Sequence, residues 1–247
     1  MLGTRRLLLA ALMTLTLAAC AATSGGRSQE VLVLGGTGQL GALVVRELAQ
    51  AGHRVTVLTR ANSDRRRLAG LDIGYLIGDA TRAEDLAAAL RARRFDSIVV
   101  ALRVMDGDTR FYETVMRPLT QYARETGVRQ IIHHGAVGAG RNRERFANLG
   151  WERVPGLFDR LADQGVGEQI LRESGITYTI IRNARLYPDG TPSTGKAELT
   201  EDDSVLTPMT RADLAIFTRE CLGNRACYNK TFHVRDDSLR WPPPSWQ

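Results

Sequence analysis

The sequence predicts a single α/β domain built on a doubly wound parallel sheet, and three observations predict it. Short apolar runs alternate with amphipathic helical stretches from residue 30 to residue 234. That order gives parallel strands with helices on both faces. The first run ends in a glycine-rich turn that opens a helix, and several runs are apolar throughout, as strands covered on both faces require. At 247 residues, with 43% hydrophobic and 24% charged, the chain can bury a core, which excludes disorder or coiled coil for the whole.

Residues 31–34 form the first strand. Leu40, Leu43, Val44 and Leu48 then recur at the spacing of one helical face, Gly52 stops the helix, and residues 55–58 form the second strand. Within this βαβ unit each glycine has a physical task. Gly35 permits a tight turn off the strand, Gly38 lets the backbone approach a pyrophosphate at the helix N-terminus, and Gly41 lets helix and sheet pack closely. Gly35, Thr37, Gly38, Gln39, Leu40 and Gly41 are therefore candidate cofactor-binding residues of a Rossmann-type NAD(P)-binding fold.

The residue after the second strand selects the cofactor. An acidic side chain there would hold the ribose 2′-OH of NAD, whereas Arg60 suits the 2′-phosphate of NADP, so NADP is expected over NAD. Arg65, Arg66 and Arg67 follow, either as further positive charge for that phosphate or as a solvated helix face.

Residues 73–77 form the third strand, ending in Gly78-Asp79-Ala80; 83–92 form a helix, 98–102 the fourth strand and 108–126 a longer helix. Residues 129–134 form the fifth strand, followed by Gly135-Ala136-Val137-Gly138, a helix over 157–174 and a sixth strand over 176–181. A last helix over 211–222 leads to a strand over 228–234, and the proline-rich tail from Trp241 continues neither type of element.

Residues 1–19 have Arg5 and Arg6, an apolar stretch over 7–17 and small residues before Cys20. The run is too short to span a membrane as a helix and is built like a secretory signal. Leu17-Ala18-Ala19-Cys20 resembles the lipobox of bacterial lipoproteins, which implies cleavage before a lipid-modified Cys20. The Arg pair also resembles a twin-arginine export signal, the alternative being an ordinary basic n-region. Residues 20–29 then form a flexible tether and 30–247 the folded domain. The expected location is a bacterial membrane, through the lipid anchor, facing the periplasm or cell exterior. Cys221 and Cys227 would close a disulfide in such a compartment and stay reduced in the cytosol.

The chain as a whole resembles the atypical short-chain dehydrogenase/reductase group, the NmrA-like NAD(P)-binding proteins. The resemblance is carried by residues 35–41, Arg60, Gly78-Asp79, the segment 168–182 and the helix start 210–215. It implies that turns after later strands line the cofactor, here Asp79-Ala80, Ala101-Leu102-Arg103 and Gly135-Ala136. Typical members also use a Tyr-x-x-x-Lys pair and a Ser after the fifth strand. Of 33 basic residues only Lys196 and Lys230 are lysines, and neither follows a tyrosine at that spacing. The resemblance puts Arg160 at the tyrosine position, Gln164 at the lysine position, and Gly135 and Ala136 where the serine often stands.

Two functional readings follow. One is an NADP-dependent oxidoreductase that passes hydride to a small electron-poor acceptor and takes the proton from water. The other is a non-catalytic NADP-binding or interaction protein on the same fold. Gln164 is a candidate hydrogen-bond partner of the nicotinamide ribose. His133 and His134 end the fifth strand; adjacent strand residues face opposite ways, and His134 is the candidate proton donor, with a buried hydrogen-bonded imidazole as the alternative. Tyr112 and Tyr187 are further donor candidates.

Four scattered histidines and no dense cysteine or acidic cluster speak against a metal site, and there is no G-x-S-x-G elbow. Arg141, Arg143, Arg145 and Arg153, with Phe146 and Trp151, form a basic stretch that reads as an active-site lid, a membrane-facing surface or a solvated loop. Nucleic acid is not an expected partner of an exported lipoprotein.

Overall fold

The computed structural model describes residues 27–104 and 109–241; the segment 1–19 expected to be a signal sequence, Cys20, the expected tether up to residue 26 and the tail from 242 lie outside the described residues. In chain order the elements are β1 (Glu30–Leu34), α1 (Gln39–Gln50), β2 (Arg54–Thr59), β3 (Gly74–Ile77), α2 (Ala83–Ala92), β4 (Ser97–Val100) and α3 (Phe111–Glu125). They continue with β5 (Gln130–Ala136), α4 (Leu157–Glu173), β6 (Thr177–Asn183), β7 (Glu198–Thr200), α5 (Arg211–Cys221) and β8 (Lys230–Arg235).

The strands form one sheet in the order β3-β2-β1-β4-β5-β6-β8-β7. All neighbours pair in parallel except β7, which runs antiparallel to β8 through Leu199↔Val234. The alternation of strand side chains divides the core in two. Val31 and Val33 pack with residues of α1 and α5 on one face, while Leu32 and Leu34 pack with residues of α2, α3 and α4 on the other. Each such fully buried side chain contributes roughly 1.5–3 kcal/mol, so Leu34→Asp in β1 would break both the packing and the sheet's centre.

Connections leave β1 towards both sides, first to β2 and then, past β3, to β4. The carboxyl ends of β1 and β4 therefore flank a crevice, the place where such sheets hold ligands. The doubly wound sheet expected from the sequence is present, with three differences. β4 stops at Val100 and β5 runs on to Ala136. β7 adds a short antiparallel edge strand, whose three residues carry too little alternation to be read from sequence. The basic stretch after β5 winds into 3-10 helices at Gly140–Leu149 and Trp151–Arg153.

Candidate functional site

The glycine turn is shaped by close backbone approach. Gly35 leaves β1 at φ +80°, and a Cβ there would collide with the Ala101 carbonyl. A Cβ on Gly41 would collide with the Gly35 carbonyl, so α1 starts in contact with the turn. The Gly38 N–H donates to Gly35 O at 3.0 Å, and Ala101 N donates to Leu34 O at 2.9 Å, which locks the turn against the end of β4. Gly38 caps α1 without a side-chain hydrogen bond, and the first turn carries no acidic residue. Its N–H groups, beside exposed Gly38 and Gln39, form a ready anion site. Thr37 and Leu40 complete the turn, with Leu40 packed on the α1–α5 core.

Arg60 follows β2 and is exposed, and among the described residues it forms no ion pair. The three arginines after it are committed elsewhere. Arg65 lies 4.7 Å from the Tyr75 ring centroid, Arg66 pairs with Asp64 at 2.7 Å, and Arg67 pairs with Asp189 at 2.6 Å. Asp79, at the end of β3, accepts from Thr81 N and Oγ1 at 2.9 and 2.8 Å. Those bonds, with the nearby charges of Arg60 and Arg82, hold its carboxyl below the usual range. Ala80 and Leu102 pack on the face covered by α2 and α3, and Arg103 is exposed beside them. Residues 35–41, Arg60, Asp79-Ala80 and Ala101-Leu102-Arg103 thus all follow the carboxyl ends of the neighbouring strands β1, β2, β3 and β4, the edge at which such sheets hold ligands.

A second group of polar residues lies at β5 and α4. Gln164 is buried on α4, and its Oε1 stands 3.3 Å from His133 Nε2. An amide oxygen only accepts, so Nε2 donates, and His133 Nδ1 is left without a partner among the described residues. Tyr112, edge-on to His133 at 5.7 Å, donates its hydroxyl to Leu102 O at 3.1 Å. Burial pushes the His133 imidazole down and the Tyr112 phenol up. Asp163 caps α3 by accepting from Tyr112 N and Glu113 N at 2.8 and 3.1 Å. Of the two lysines, Lys196 precedes β7, and Lys230 on β8 pairs with Glu201 at 2.6 Å.

The placement of His134 corrects the sequence reading. The β5 register turns it to the opposite face, where Nε2 meets Thr218 Oγ1 on α5 at 2.9 Å. Thr218 already donates to Leu214 O at 2.7 Å, so His134 is the donor to it. Burial pushes His134 down to about 3. It is a buried, neutral, hydrogen-bonded imidazole, and His133 is the one that faces Gln164. Tyr187 likewise donates to Arg240 O, at 2.5 Å.

The sequence reading missed an ion cluster beside Gly135. Glu168 on α4 is fully buried and accepts from Arg182 Nη2 at 2.6 Å, Arg182 Nε at 3.1 Å and Arg172 Nη2 at 2.8 Å. A Cβ on Gly135 would strike Glu168 Oε1, so the position that often holds serine is kept bare here by packing. Asn183 Nδ2 donates to Gly135 O at 2.6 Å and fixes this end of β5 next to Ala136. The i, i+4 spacing of Glu168 and Arg172 was the visible signal; the partner on β6 was not. Cys221 and Cys227 form a disulfide at the end of α5.

Fold and cleft together define a dinucleotide-binding α/β protein. A family model described as NAD(P)H-binding matches residues 35–225, and the chain belongs to that family. It is 35% identical over 130 residues to sterol demethylase protein B of Methylococcus capsulatus, covering 50% of this chain and 40% of that one. It is 26% identical over 185 residues to ceramide reductase of Caulobacter vibrioides, covering 73% and 54% respectively. The chain thus spans about half the length of the curated relatives it matches. Among solved structures it shares its fold with ChuY, an anaerobilin reductase of Escherichia coli O157:H7, at a TM-score of 0.74 and 21% identity, covering 85% of this chain and 98% of that one.

Proposed function

We propose that the protein is an NADP(H)-dependent oxidoreductase of the atypical short-chain type, passing hydride to a small electron-poor acceptor. One observation carries the reading. Among the described residues, Gln164, His133 and Tyr112 give the β5–α4 site hydrogen-bonding groups that do not exchange a proton near neutrality. Gln164 does not titrate, His133 is held neutral by burial and Tyr112 is held protonated. Such a site suits an acceptor whose reduction needs an oriented hydride and can take its proton from water.

The residues present fit the cofactor. The uncapped first turn of α1 would hold the pyrophosphate, Arg60 the 2′-phosphate, and Asp79-Ala80 the adenine side. Ala101-Leu102-Arg103 and Gly135-Ala136 would line the path to the nicotinamide, with Gln164 hydrogen-bonding its ribose. When bound, the nicotinamide supplies the hydride; the chain's part is to orient it and exclude competing donors.

The same reading places the protein on a bacterial membrane through Cys20, facing the periplasm or cell exterior. The signal sequence 1–19 and the Cys221–Cys227 disulfide support it, since such bonds persist in oxidising compartments. Twin-arginine export would deliver the folded protein with cofactor already bound.

The test is turnover by the full chain with NADPH and a panel of quinones, flavins and enones. Acceptor-dependent loss of NADPH absorbance is expected. Tight NADPH binding with no turnover across the panel would instead favour the second reading, a nucleotide-binding protein that acts through a partner.

A further inference from the structure

On the flank of α4 turned away from α3, a cavity of about 670 Å³ opens between the 3-10 segment Gly140–Leu149, α4 and β6. Its charged lining is Arg141, Arg143, Arg172 and Arg182 against Glu144 and Glu168. Four guanidinium groups face two carboxylates, a surplus of two positive charges. None of the residues assigned to the cofactor cleft lines it.

The surplus is built into the fold. Glu168 is a single carboxylate shared by Arg182 and Arg172, and both it and Arg182 are buried. Arg182 bonds both Glu168 oxygens, so Arg172, which shares only one of them and whose side chain is 28% exposed, is left with uncompensated positive charge at the cavity wall that an anion there would offset. At the rim, Asn142 is buried between Arg141 and Arg143. Its Oδ1 accepts from Gly138 N at 2.8 Å and its Nδ2 donates to Asp203 O at 2.9 Å. The anchored Asn142 sets its two neighbours at the mouth, and neither forms an ion pair among the described residues. Arg143 rests over the Phe158 ring, 5.7 Å from its centroid. A Cβ on Gly165 would collide with the Gly140 backbone, so segment and helix touch and the cavity is preformed. Ala162 and Val166 give the wall an apolar strip.

We propose that this cavity binds an organic anion: a carboxylate or phosphate head held by Arg141, Arg143 and Arg172, with a short apolar body along Ala162 and Val166. The site is separate from the cofactor cleft and does not depend on the protein being an oxidoreductase.

The test is calorimetric titration of the full chain with octanoate and with octyl phosphate at low ionic strength, with and without saturating NADP. Saturable binding of either probe supports the proposal, and the pair distinguishes the head group. Affinity is expected to fall about tenfold or more in Arg141→Gln/Arg143→Gln, whose side chains are exposed at the rim, and to be unchanged by NADP. No saturable binding of either probe, undiminished binding in the double variant, or displacement by NADP would overturn it.

Discussion

Gln164 on α4 and His133 on β5 stand 3.3 Å apart, side chain to side chain, in the buried space where the sequence resemblance would put a lysine. The contact puts a neutral amide, hydrogen-bonded to a buried imidazole, at the position the resemblance gives to a lysine.

Replacing Gln164 with Leu leaves His133 Nε2 buried without its acceptor. An unmade buried hydrogen bond costs about 1–3 kcal/mol, which lowers the melting temperature of a domain this size by several degrees. NADPH binding should weaken several-fold in the same variant. A thermal melt and a fluorescence titration check both; a variant that melts and binds like the parent would contradict the assigned contact.

The pH profile of turnover follows from the same residues. Burial lowers His133 from its ordinary value and raises Tyr112, so kcat with a quinone acceptor should be flat from about pH 7 to 9. A bell-shaped profile in that window would show a titrating protein group in the reaction.

Stability should depend on acid through His134. Its folded value is near 3 against 6.5 when free. Below pH 6.5 the unfolded imidazole takes a proton that the folded one refuses until about pH 3, so stability is full above that window and falls as pH drops through it. The slope is about 1.4 kcal/mol per pH unit for one such proton. Chemical denaturation at pH 7 and pH 5 should show the loss, and His134→Gln should reduce it. An identical loss in the variant would assign the effect elsewhere.

Installing the serine that related proteins often carry should fail here. Gly135→Ser puts a Cβ against Glu168 Oε1 and disturbs the cluster with Arg172 and Arg182. Overpacking of this kind costs about 1–3 kcal/mol, with no gain in turnover expected. Denaturant midpoints for the two proteins decide it.

The sheet and the nucleotide turn were legible because their signals are local. The apolar run over 31–34, the glycines at 35, 38 and 41, and the helical spacing of Leu40, Leu43, Val44 and Leu48 lie within one βαβ unit. The place of Arg60 just past β2 was legible because the apolar run over 55–58 marks that strand. What escaped depends on register between distant elements. Whether His133 or His134 faces α4 turns on the pleat of β5, which Ile131 and Ile132 leave unmarked because both faces of the strand are buried. The Glu168–Arg182 pair joins α4 to β6 and has no pattern along the chain. The arginines at 65–67 could not be told from Arg60 until their partners Tyr75, Asp64 and Asp189 were in place.

The most direct measurement is the affinity of the full chain and of Arg60→Asp for NADPH and NADH. The guanidinium of Arg60 at the end of β2, exposed and without an ion pair among the described residues, predicts a parent that prefers NADPH. It also predicts a variant that loses NADPH affinity on the order of a hundredfold while NADH affinity stays nearly unchanged. A parent without preference, or equal losses for both cofactors, would contradict the cleft described here.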